Sequence, residues 1–201
     1  MNSPSVNDLI SQARGGDSDA LGTLLEGYRP FLELLARRQL DPRVHARVGL
    51  SDVVQQTFLE AQRDFAQFRG QVEGEIIAWL RQVLDHNVAE AVRRHVVVQK
   101  RTTNKERSLD APGKGGRALG NLLPSDQSTP SQRAMRDEAA VQLALAMDTL
   151  PEDQKEAIRL RHLEGWSLAQ IAEHFKRSDV AVAGLVKRGL RGLRKQLANE
   201  A

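Results

Sequence analysis

LPEDQKEAIRLRHLEGWSLAQIAEHFKRSDVAVAGLVKRGLRGLRKQL, residues Leu150 to Leu197, is the stretch whose reading decides the fold. Leu150-Pro151-Glu152 opens one helical pattern, Gly165 ends it, and two more short helices fit in the remainder. Ser167-Leu168-Ala169-Gln170 has capping-box spacing and opens a helix that packs through Leu168, Ile171 and Ala172. Ser178 caps the last helix, where Val182, Leu185, Val186, Leu193 and Leu197 face inward. That leaves Ser178, Asp179, Ala181, Gly184, Lys187, Arg188 and Arg191 facing out. From Lys176 to Lys195 seven Lys or Arg stand against one acid, Asp179. Three short helices ending in a basic one predict a helix-turn-helix whose final helix enters a DNA groove.

The chain has 201 residues, which suits one large domain or two small ones. Hydrophobic content of 40% is enough for real cores, but only 4% is aromatic, so those cores must be mostly Leu, Val and Ala. A net charge of +3 and a pI of about 9.5 are only mildly basic, so local clusters matter more than the total. The absence of cysteine excludes disulfides, thiolate metal sites and cysteine nucleophiles. Met1 to Asp8 has no signal-peptide pattern, and no apolar run approaches the roughly 20 residues of a membrane span. A soluble, cytoplasmic protein is expected.

Upstream, Ser5 to Gly16 reads as a short helix stopped by Gly15-Gly16. Asp17 to Leu40 reads as one longer helix, with Pro30 kinking it and Asp41-Pro42 ending it. Ser51 is the expected N-cap of a helix over Asp52 to Phe68, with Val54, Phe58, Ala61, Phe65 and Phe68 as its apolar seam. The opposite face holds Asp52, Gln55, Gln56, Leu59, Gln62 and Arg63. Three glutamines around one outward Leu fit either a solvated surface or a docking face for a partner protein, and the residues leave both open. Glu75 to about Arg101 resumes the helical pattern through Ile77, Leu80, Leu84, Ala91 and His95, interrupted by Asp85-His86-Asn87. Its basic end (Arg93, Arg94, Lys100, Arg101) solvates a helix terminus or, beside a second DNA-reading element, contacts phosphate.

Thr102 to Pro130 is rich in Gly, Ser, Pro, Thr and Asn and shows no sustained period. It reads as a flexible linker whose coil would span roughly 30 Å. The expected organisation is therefore all-α, with helical domains at 1–101 and 131–201 joined by a linker at 102–130. Thr129-Pro130-Ser131-Gln132 restarts a helix that buries Ala134, Val141 and Leu145 and reaches about Asp148.

Two blocks carry a family resemblance. Leu150-Pro151-Glu152-Asp153-Gln154, then Arg159 to Ala172, resembles the fourth-domain signature of extracytoplasmic-function sigma factors. Asp52-Val53-Val54-Gln55-Gln56-Thr57-Phe58, followed by Ala78-Trp79-Leu80-Arg81, resembles that family's second domain. Tyr28-Arg29-Pro30 and Ala181 to Leu185 resemble the planctomycete-type branch. The resemblance implies a transcription initiation subunit that binds core RNA polymerase and directs it to promoters. It implies docking of Asp52, Gln55, Gln56, Leu59 and Gln62 on the beta-prime coiled coil, with the beta flap as a further contact on the polymerase. An anti-sigma protein is a further partner it admits, and no cofactor is implied. Trp79, His86, Asn87, Arg93 and Arg94 correspond to the part that opens the minus-ten element. His86 and Asn87 both suit a pocket for a flipped base, and an ordinary helix corner stays open.

Arg177, Ser178, Asp179, Ala181, Gly184, Lys187, Arg188 and Arg191 correspond to the minus-thirty-five reader. Relatives often have Gly at the turn position occupied by Lys176, which must accept a left-handed backbone at roughly 1–2 kcal/mol or use another turn. With Ala181 and Gly184 outward, few bidentate base contacts are available, so phosphate contacts and DNA shape are expected to dominate. A conventional helix-turn-helix regulator is the alternative; it explains the C-terminal stretch but not the Gln55-Gln56 face. An enzyme finds no support in the spacing of His45, His86, His95, His162 and His174, and Gly113, Gly115 and Gly116 lack the context of a phosphate loop.

Overall fold

The computed structural model describes the backbone of residues 4–40, 49–106 and 129–199, and every regular element among them is helical. The chain divides into two compact units, Met1–Met135 and Arg136–Ala201.

In the first unit, α1 (Val6–Arg14) is closed at its start by a reciprocal capping box between Ser5 and Asp8. Helix α2 spans Ser18–Gly27, with Asp17 accepting from the Asp19 and Ala20 amides, and α3 spans Arg29–Gln39. The single kinked helix expected over Asp17 to Leu40 is thus two helices, broken at Tyr28 (φ −94°, ψ 1°). Pro30 lies in the first turn of α3, where a backbone N–H has no intrahelical partner to lose. The break is fixed from inside. Tyr28 is buried and its hydroxyl donates to Glu73 Oε1 at 3.1 Å. Burial first, then the Glu73 carboxylate, pushes the phenol pKa well up.

Helix α4 (Leu50–Asp64) begins two residues earlier than expected, with Gly49 rather than Ser51 as its N-cap. A Cβ at Gly49 would lie 2.5 Å from Asp52 Oδ2, so the glycine lets that carboxylate fold back on the helix start. A short 3₁₀ turn, Phe65–Gln67, ends this segment. Helix α5 (Glu73–Glu106) opens with Glu75 accepting the Gln71 and Val72 amides at 2.7 and 3.3 Å; these bonds hold its carboxyl below the usual range. It continues through Thr102–Glu106, which were expected to begin the linker. No Gly or Pro occurs between Glu75 and Ala111, so nothing local stops it there. Residues 107–128 of the expected linker lie outside the described residues.

Helices α3, α4 and α5 pack on one another, and α1 packs on α2. Phe31, Leu32, Val54, Ala61, Ile76, Leu80, Leu84 and Val88 are at most 1% exposed. Each of these side chains larger than alanine contributes about 1.5–3 kcal/mol by leaving water.

Helix α6 (Pro130–Asp148), which belongs to the second unit from Arg136 on, starts with the expected box: Thr129 and Gln132 exchange side-chain bonds at 3.2 and 3.3 Å. Its buried stripe differs from expectation. Val141 is buried, but Ala134 is exposed and Leu145 is 41% exposed, while Ala144, Ala146 and Met147 turn inward. Ala146 and Met147 share a core with Leu150, Ile158 of α7 (Glu152–Ile158) and Leu193 of α9 (Asp179–Asn199). The expected helix from Pro151 to Leu163 becomes α7 plus one wide turn, Arg159–Leu163, closed by Glu164 N–H on Arg159 O at 3.2 Å. Helix α8 (Leu168–Phe175) carries the expected Ser167–Gln170 box, and Lys176 adopts φ 52°, ψ 46°. The left-handed option is the one taken.

Candidate nucleic-acid interface and docking face

Three sets of side chains reach the surface. On α4, Val53, Val54, Thr57 and Ala61 face the core, which turns Asp52, Gln55, Gln56, Leu59 and Gln62 outward together. Leu59 is 55% exposed in the middle of that stripe. Gln56 donates to Glu60 Oε1 at 3.0 Å, and Arg63 pairs with Asp64 at 2.7 Å. The face is thus amide-rich around one apolar residue, suited to directed hydrogen bonds about a small dry centre. Behind it, Arg29 lies 4.7 Å over the half-buried Phe58 ring and is held by Glu26 at 2.5 and 2.8 Å.

On α5 the five nominated residues separate. Trp79 is half-buried and packs against Phe68 (centroids 5.1 Å apart) and Phe65 (6.2 Å, edge-on). His86 is exposed. Asn87 is only 2% exposed, donating its amide to Glu60 Oε2 at 3.0 Å and to Thr57 Oγ1 at 3.4 Å, while its Oδ1 is buried without a partner. Of the pair that the sequence left open, only His86 offers its side chain at the surface. Asn87 is committed to the α4–α5 contact because Thr57 and Glu60, one turn apart on α4, supply its acceptors. Arg93 and Arg94 are exposed; Arg93 reaches the Ala89 carbonyl at 3.3 Å and Arg94 pairs with Glu90 at 3.4 Å. His86 and Arg93, seven residues apart, share a face over about 10 Å of helix.

On α9, Val182, Leu185 and Leu193 are buried and Asp179, Ala181, Lys187, Arg188 and Arg191 are exposed, as are Arg177 and Ser178 just before it. Ser178 Oγ accepts the Ala181 amide at 3.3 Å. Gly184 is half-buried because the Arg188 guanidinium lies over it; a Cβ there would be 3.1 Å from Arg188 Nη1. Arg177 is held by Asp153 at 2.8 Å and sits 5.7 Å over the Phe175 ring.

Sequence reasoning missed three things here. Val180, in the first turn of α9, is 82% exposed; its position four residues before Gly184 and seven before Lys187 would have placed it outward. Gly189 is a contact point: a Cβ would lie 2.5 Å from Ile158 Cδ1 and 3.3 Å from Gln154 Cβ, so α9 lies directly against α7. Arg159, half-buried, bonds both Glu156 and Glu164, and His174 lies 3.7 Å from Glu156 between the Trp166 and Phe175 rings. That cluster ties α7, the wide turn and α8 together ahead of α9. The i,i+3 spacing of Glu156 and Arg159 is the sequence signal for part of it, but the spacing of Arg159 and Glu164 fits no regular helix pair.

The family profile described as "Sigma-70, region 4" matches residues 140–193. Over 165 residues the chain is 30% identical to the "ECF RNA polymerase sigma-E factor" of Haemophilus influenzae, covering 82% of this chain and 80% of that protein. It is 24% identical over 196 residues to the "ECF RNA polymerase sigma factor BldN" of Streptomyces coelicolor, covering 96% of this chain and 66% of that protein. Among solved structures, a chain of the RsbN–BldN complex is similar at 22% identity and a TM-score of 0.32, covering 94% of this chain and 99% of that one.

Proposed function

The chain belongs to the extracytoplasmic-function RNA polymerase sigma factors, and on that premise we propose how its faces divide the work of a transcription initiation factor. It binds core RNA polymerase and directs it to promoters. The α4 face of Gln55, Gln56, Leu59 and Gln62, with Asp52 at its head, docks on the beta-prime coiled coil, and the second unit meets the beta flap. Arg177, Lys187, Arg188 and Arg191 hold phosphates of the minus-thirty-five element, while Ser178, Asp179, Ala181 and Gly184 lie against the groove. His86, Arg93 and Arg94 meet the minus-ten strand; Trp79 and Asn87 act from behind them, as supports of the helix that presents them. An anti-sigma protein would have to cover these same exposed faces. The work is binding and positioning rather than catalysis, carried out in the cytoplasm where polymerase and chromosome meet; among the described residues no helix is long and apolar enough to cross a membrane.

The observation that carries this reading is the pairing of two unlike surfaces on separate units: an amide-rich stripe centred on exposed Leu59, and a cationic one on α9. A conventional regulator needs only the second. Reconstitution with core polymerase on a promoter library tests it: initiation from a defined promoter set should require the protein. Dimeric binding to duplex DNA with no effect on polymerase would overturn the assignment.

A further inference from the structure

Val180 has the greatest exposure of the large apolar side chains among the described residues, at 82%. Counting along α9, it precedes Gly184 by four residues, Lys187 by seven and Arg191 by eleven, so the four form one outward stripe. The buried Val182 and Leu185 face away from it. A β-branched residue in water is a poor choice for a helix surface, since it loses side-chain freedom without burying area. The remainder of the stripe is cationic or, at Gly184, covered by the Arg188 guanidinium.

Resting on the reading that α9 enters the major groove of the minus-thirty-five element, we propose that Val180 is a specificity-determining residue that reads the C5-methyl group of a thymine there. Base edges in the major groove offer donors, acceptors and one apolar group, the thymine methyl. The first turn of a recognition helix is the part that reaches base edges. In that turn Ser178 is engaged in capping and Ala181 is small, so Val180 is the sizeable apolar side chain in position to cover a methyl. Lys187 and Arg191, further along the same stripe, suit the phosphates flanking such a contact and favour a polyanion over an apolar protein surface.

The test uses holoenzyme and a promoter selected by transcription. Each minus-thirty-five thymine is replaced in turn by deoxyuridine, which removes only the methyl group. One replacement should lower wild-type promoter affinity about fourfold, the worth of one buried methyl. The Val180→Ala holoenzyme should bind both templates alike at that position, and Val180→Ser should do the same. Equal affinity of the wild type for every thymine and deoxyuridine pair would overturn the proposal, as would full methyl sensitivity in Val180→Ala. Loss of core polymerase binding in Val180→Ala would place the residue on a protein interface and overturn it too. Wild-type protein that supports no promoter-dependent initiation would instead bring down the sigma-factor division of labour, and this proposal with it.

Discussion

At the scale of single residues, Asn87 and Lys176 both sit in environments that cost stability. The Asn87 amide is oriented by the Glu60 carboxylate, because turning it over would set oxygen against oxygen. Its own carbonyl is then buried without a donor, which costs about 1–3 kcal/mol. Asn87→Asp would put a second carboxylate beside that of Glu60 in a half-buried site. It should destabilise the fold by roughly 2 kcal/mol more than Asn87→Ala, and adding Glu60→Gln should recover most of the difference. Urea unfolding of the four proteins measures this; a wild-type midpoint for Asn87→Asp would mean the bond to Glu60 is not formed in solution. Lys176 is the simpler case. Its left-handed backbone strains an ordinary side chain, so Lys176→Gly should stabilise the second unit by about 1 kcal/mol. A thermal melt should show that as a rise of about 4–8 °C in the transition of a unit this size. An unchanged or lower melting temperature would show that the turn bears no such strain.

At the scale of elements, the contact between α7 and α9 sets where α9, the proposed recognition helix, stands. Gly189 permits it, and the nearest atoms to a new Cβ belong to the buried Ile158 and to the base of the Gln154 side chain, which cannot swing away. Gly189→Ala should therefore cost about 1–3 kcal/mol by overpacking. Ile158→Val removes the Cδ1 that the new methyl would strike, so the double variant should be more stable than the sum of the two single losses. Strict additivity in a denaturation cycle would place the strain elsewhere. Much of this level was legible in the sequence, because caps and apolar periods are local. The Ser167–Gln170 and Thr129–Gln132 boxes, the turn at Lys176 and the inward side of α9 all follow from residues within one turn of each other. The illegible parts depended on distant partners. The break at Tyr28 is held from Glu73, and the inward turn of Ala146 and Met147 is set by Ile158 and Leu193. Burial of Asn87 needed Thr57 and Glu60, thirty and twenty-seven positions upstream. In the row Asp85-His86-Asn87, the period of Leu80, Leu84 and Ala91 turns Asn87 inward, but only its partners on α4 show why a polar side chain is kept there.

At the scale of the whole molecule, a net charge of +3 is too little to hold a duplex, so the proposed division of labour draws DNA affinity from the clustered cations of α9 and from Arg93 and Arg94 of α5. Polymerase affinity, by contrast, is assigned to a stripe on α4 that is nearly uncharged. The two affinities should then respond to different substitutions and differently to salt. Gln55→Lys with Gln56→Lys leaves the fold intact, since both side chains are exposed and the second could pair with Glu60 one turn on. It should weaken core polymerase binding about tenfold or more by placing unpaired charge in the interface. Lys187→Ala with Arg188→Ala should leave core binding unchanged. It should weaken holoenzyme binding to promoter DNA and reduce the slope of log K against log salt by about 1.8, from two fewer phosphate contacts. Titrating wild type and both double variants against core polymerase, and each holoenzyme against promoter DNA at several salt concentrations, separates the outcomes. If the glutamine pair alters the salt slope, or the cation pair alters core affinity, the division between an α4 docking face and an α9 DNA face is wrong. An unaltered slope in the cation pair removes Lys187 and Arg188 from the interface and leaves Arg177 and Arg191 to supply its charge.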